Sequence, residues 1–185
     1  MYALLLVLSS LSSDPVKTAA TVYQTEFAVT NLAGTSISGE VIGLLQTVST
    51  EDKGLSKKLI ERVDRLIDIY RNMPSAERGY KLLKQKLEEG LDDATRRRLA
   101  EHMARTAEDL LQDAKTFGTL PKTEYNVEMT AMHWGKLYAF LVQYSQDKSR
   151  ETLRGLIVDE VDYLTDIDPS RKELYQSLRK EVAGK

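Results

Sequence analysis

Two histidines, His102 and His133, are the only neutral nitrogen ligands in the 185-residue chain, which contains no cysteine. A zinc site would need both of them together with a carboxylate such as Glu101 or Glu128. Neither an H-E-x-x-H segment nor an E-x-x-H pair is present, so the spacing that puts metal ligands on one helix face is missing. The absence of cysteine removes disulfides, thiol nucleophiles and thiolate-held metals. His102 reads as a solvated helix residue, and His133 as a satisfied polar neighbour of Trp134. No metal and no cofactor is expected.

Carboxylates are plentiful. Glu88 with Asp92, Glu124 with Glu128, and Asp162 with Asp166 stand four residues apart, which places each pair on one face of a helix. General acid–base chemistry would require such a pair to be buried with its pKa values driven apart. An enzyme with a carboxylate pocket between helices is therefore the third reading. The run Asp159, Glu160, Asp162, Asp166 and Asp168 lacks the glycine and terminal glutamate of a calcium loop and reads as a solvated acidic face. No nucleophile elbow, phosphate-binding glycine loop or dinucleotide glycine motif occurs.

Basic residues gather in three places. Arg96, Arg97 and Arg98 form the densest run, with Arg105 near their face one or two turns later. Lys57, Lys58, Arg62 and Arg65 form a second group, and Lys81, Lys84 and Lys86 a third. If the fold gathered them, they could contact phosphate backbones. A nucleic-acid-associated helical protein using Arg96, Arg97, Arg98 and Arg105 is the second reading. Acids accompany every run, as on ordinary solvated helix faces.

The elements that would position these groups are helices. Asp14-Pro15 is a cap followed by a good first helical residue, and Val16, Ala19, Ala20, Tyr23 and Phe27 recur at helical spacing as far as Gly34. A strand pair over Thr21–Thr30 is the competing pattern. The stretch from Gly34 to Gly43 reads as a loop leading into a short buried helix with Val41, Leu44, Leu45 and Val48, capped by Ser36 or Ser38. Leu55, Leu59, Val63, Leu66 and Tyr70 make the clearest stripe, stopped by Pro74. Ser75 then caps a helix carrying Tyr80, Leu83 and Leu87. A longer one from Asp92 or Asp93 turns Leu99, Met103, Ala107, Leu110, Leu111 and Ala114 inward. Another from Thr123 to Tyr144 turns in Val127, Ala131, Trp134, Tyr138, Leu141 and Val142. Two more follow Ser149 and Asp168-Pro169. The expected fold is all-α, a mostly antiparallel bundle of seven or eight helices in one domain covering 1–185.

Charge is spread unevenly along this bundle. Residues 1–50 hold only Asp14, Lys17, Glu26 and Glu40, while the remaining 135 hold 25 basic and 25 acidic residues. With a net charge of −2 the chain is no polycation, and 42% apolar content argues for a folded core. Tyr2–Leu8 reads YALLLVL, far short of the roughly 20 residues a membrane-spanning helix needs. No Lys or Arg precedes it and no clean A-x-A site follows, so it reads as part of the folded protein and a cytoplasmic setting is favoured. Such a charge-poor segment belongs inside the bundle as a central helix pair or docks as an arm on another copy. The first reading is a structural or scaffolding protein that acts through protein contacts and self-association. Its contact residues would be Tyr2, Leu5, Leu6 and Leu8, supplemented by Tyr138 and Tyr144 as aromatic anchors.

Overall fold

The computed structural model describes residues 14–30 and 32–184, and among them there are eight α-helices and no strand. Tyr2, Leu5, Leu6 and Leu8 lie outside the described residues. Helix α1 spans Pro15–Val22 and opens as the sequence predicts, with the Asp14 carboxylate accepting from the amides of Val16 at 3.0 Å and Lys17 at 3.3 Å. It does not run on to Gly34. It widens into a π-turn over Tyr23–Phe27 and ends there. Tyr23 and Phe27 are both buried, stacked on Tyr138 and Trp134 at ring-centroid separations of 4.2 and 5.9 Å.

Helix α2, Ala33–Thr47, corrects the expected loop and short helix. It passes straight through Gly34, Gly39 and Gly43, residues that cost a helix up to about 1 kcal/mol each relative to alanine. The compensation is contact with α6, Lys122–Gln146, the most extensive helix pairing among the described residues. A Cβ on Gly39 would stand 1.9 Å from the Met132 carbonyl oxygen, and one on Gly135 of α6 would stand 2.1 Å from the Ser36 carbonyl oxygen. One on Gly43 would meet Ala139 Cβ at 2.8 Å. Only residues without a Cβ let the two backbones touch, the same logic that glycine spacing serves in other close helix pairs. Charge-poor α2 thus becomes an interior helix, with Ile37, Val41, Ile42, Leu44 and Leu45 all buried.

The later helices follow their stripes more closely. Helix α3, Lys53–Ile69, buries Leu55, Leu59, Val63 and Leu66. Helix α4, Pro74–Glu89, starts with Pro74 in its first turn, where a proline costs no hydrogen bond, and not with a Ser75 cap. Helix α5, Asp93–Thr116, is capped by Asp92, whose carboxylate accepts from the Thr95 amide at 2.9 Å. Helix α7 spans Glu151–Ile167; a short 3₁₀ turn at Pro169–Arg171 then leads into α8, Lys172–Ala183. Gly184, at φ +69°, closes α8 in the left-handed conformation that glycine tolerates best.

Two apolar clusters form, and both include residues of α6. One joins α1 and its π-turn to α6, α7 and α8 around Trp134, Phe140 and Tyr175; the other joins α2, α3, α4 and α5 around Leu44, Leu59 and Leu66 and takes Ala139 from α6. No helix among the described residues is long and apolar enough to cross a membrane.

In the first cluster Tyr175 ties three elements. Its hydroxyl donates to Asp168 at 2.6 Å and accepts from Trp134 Nε1 at 2.9 Å. Burial, and then the hydrogen bond to Asp168 and its charge, push this hydroxyl far above the usual tyrosine range. Tyr175→Phe leaves a buried indole N–H without an acceptor. It is expected to cost about 1–3 kcal/mol, read from urea unfolding with unchanged far-ultraviolet dichroism.

Candidate functional site: the projecting half of α5

The sequence turns six apolar residues of α5 toward a core, yet the fold buries little of this helix. Arg96 and Ala100 are its only buried residues. Beyond them Met103, Ala107, Leu111 and Ala114 are half-buried, while Leu110 is 65% exposed and Phe117, just past the helix end, 78%. Leu110, expected inside, is on the surface: in this half of α5 the half-buried side runs through Ala107, Leu111 and Ala114 and leaves Leu110 outside it. The first turns of α6 are exposed as well: Lys122, Thr123, Glu124, Asn126 and Val127 all face solvent. Lys115 of α5 and Tyr125 of α6 meet across this hairpin, the ammonium 4.3 Å from the ring centroid. Leu110 and Phe117 stand seven residues apart and therefore share one side of it.

The structure separates the arginine group. Arg96 is only 4% exposed and is bonded to Asp93, while Arg97, Arg98 and Arg105 are exposed. Successive residues on a helix fan out by about 100°, so three adjacent arginines cannot share a face. Arg98 and Arg105, seven apart, do share one. The aromatic anchors are also divided. Tyr144 is 3% exposed and packs within the first cluster, and half-buried Tyr138 carries Tyr23 on its face with Lys58 5.0 Å from its ring centroid.

Three carboxylates are buried, and the sequence pairs did not include them as partners. Glu40 of α2 accepts from Arg62 Nε at 2.8 Å and from the Tyr23 hydroxyl at 2.9 Å, with Lys58 Nζ at 3.7 Å. Burial, and then the Glu40 charge, push the Tyr23 hydroxyl far above its ordinary range. Glu160 of α7 meets His133 Nδ1 at 2.7 Å and Lys136 Nζ at 2.5 Å, both on α6. Asp168 holds Tyr175 and Arg171. Glu160 and Asp168 belong to the acidic run that read as a solvated face, and the fold turns these two inward. Each of the three carboxylates is bonded to groups from other elements, which makes it a tie between helices.

His133 is buried rather than satisfied. Its Nε2 has no hydrogen-bond partner among the described residues, and its ring lies 4.0 Å from the Tyr163 ring centroid. His102 is exposed, as the sequence suggests. Among the described residues no three His, Asp or Glu side chains gather closely enough to hold a metal ion.

Sequence reasoning missed the glycine crossing and the exposure of Leu110 and Phe117. The first had a signal in the sequence, Gly39 and Gly43 four apart with Gly135 in the longest apolar helix. Comparison of the chain with protein families, with curated proteins and with solved structures gave no match.

Proposed function

We propose that the protein is structural or scaffolding, acting through protein contacts that include self-association, with the outer half of α5 as a contact face. The observation that carries this is the exposure of Leu110 and Phe117 on one side of α5 and its end. Large apolar side chains at a shared, solvated helix side lose water when a second surface covers them, and aromatic residues dominate such contacts. Tyr2, Leu5, Leu6 and Leu8 remain the proposed second contact segment, and half-buried Tyr138 a proposed aromatic contact.

Light scattering across a concentration series tests the reading. The wild-type chain is expected to rise above its monomer mass, and Leu110→Glu with Phe117→Glu to return it to the monomer. Both positions are exposed, so the double variant should keep its helicity and lose no more than about 1 kcal/mol. A wild-type chain that stays monomeric at every concentration overturns the proposal.

A further inference from the structure

We propose that the cleft between the π-turn after α1, the first turns of α6 and the end of α7 binds a small molecule that joins a primary ammonium to a compact apolar body. The cleft has a volume of about 310 Å³, at the lower end of the range for small-ligand pockets. Its apolar lining comes from Phe27, Leu32, Val127 and Ile167. Val127 is one of the residues the sequence turns toward the core. It instead stays exposed, on the side of α6 that opens here.

The polar lining has acceptors to spare and no uncommitted cation. Its charged residues are Glu26, Asp168 and Arg171. Arg171 is bonded to Asp168 at 2.6 Å and to Glu26 Oε2, so both acids already share the one guanidinium. Asp168 is filled further by the hydroxyls of Tyr175 and Ser170. Glu26 Oε1 has no partner among the described residues. A ligand carboxylate would have to displace Glu26 from Arg171 beside a second acid. An ammonium would meet a free carboxylate oxygen and a lining with one net negative charge.

Thr130 is an independent pointer to a ligand. It is only 7% exposed and lines the cleft, yet its hydroxyl makes no hydrogen bond among the described residues. Thr21, Thr47, Thr106, Thr116 and Thr165 each donate to the carbonyl four residues back. Thr130 does not make that bond, and its oxygen is not closed off from solvent, so it stays open to the cleft. Its oxygen offers a second acceptor to an ammonium, and the amide of Asn126, one turn earlier on the rim, a third.

The only tryptophan reports on this cleft, because Phe27 stacks on Trp134 with ring centroids 5.9 Å apart. The full chain is titrated with 2-phenylethylamine, and with 3-phenylpropionate and 3-phenylpropan-1-ol as controls. Tryptophan emission and isothermal calorimetry are read in parallel. A saturable response to the amine at or below about 1 mM is expected, with the acid and the alcohol at least about tenfold weaker. Glu26→Gln and the nearly isosteric Thr130→Val are each expected to weaken the amine by about tenfold. Thr130→Val also melting with the wild type separates loss of binding from loss of fold. The proposal is overturned by no saturation up to about 10 mM amine, by equal binding of the acid, or by unchanged amine affinity in both variants.

Discussion

Gly135→Ala is expected to lower stability by at least about 3 kcal/mol, whereas the same change at Gly79 or Gly155 is expected to raise it by about 0.5–1 kcal/mol. The chemistry of the three substitutions is identical, one added methyl in a helix. Their surroundings differ. A Cβ at Gly135 would stand 2.1 Å from the Ser36 carbonyl oxygen and 2.8 Å from the Glu40 amide nitrogen. Both atoms are backbone, so no side chain can swing aside, and α2 and α6 must separate. Separation loosens the residues packed across the contact and shifts Glu40 away from Arg62 and Tyr23. At Gly79 and Gly155 nothing lies within 4 Å, and alanine there only removes the entropic cost of a helical glycine. For a chain of this size the melting temperature of Gly135→Ala should fall by about 6–12 °C, and those of the two controls should rise by about 1–4 °C, followed by circular dichroism. A Gly135→Ala protein that melts with the wild type would show that the helices are not in backbone contact.

Hydrophobic spacing made most of the helices legible. The stripe from Leu55 to Leu66 and the turn at Pro74 sit where the pattern puts them, because burial of one helix face writes a period into the sequence. Helix α2 was not legible, since glycine carries opposite meanings. By propensity Gly39 and Gly43 argue against a helix; by packing they permit one helix to lie on another, and the decisive partner is Gly135, about ninety residues away. The outer half of α5 was illegible for a related reason. Leu110 belongs to an amphipathic pattern, but spacing cannot say whether a second helix reaches that far along it. The buried carboxylates illustrate the same limit. Glu160 and Asp162 are neighbours in one acidic run, and only the position of α6 buries the first while Asp162 pairs on the surface with Arg179 at 2.9 Å.

That burial sets the second large effect, at Glu160. Glu160→Gln is expected to cost about 3–5 kcal/mol near neutral pH, because Lys136 remains almost fully buried without its carboxylate. Glu160→Gln combined with Lys136→Met removes both charges and should recover most of that loss, which identifies the uncompensated ammonium as the source. The pH dependence follows from the same geometry. Burial acts to raise the Glu160 pKa, but the His133 hydrogen bond and the Lys136 charge outweigh it and hold the carboxyl below its ordinary range. A group whose folded pKa lies below its unfolded value stabilises the fold above the unfolded value, about 4.3 for glutamate, and loses that contribution as pH falls through the folded one. Urea unfolding of the wild type should therefore lose stability steeply below about pH 4.5, while the Glu160→Gln, Lys136→Met double variant should fall less over the same interval. Equal slopes in the two proteins would mean that the Glu160 cluster does not set the acid limit of the fold.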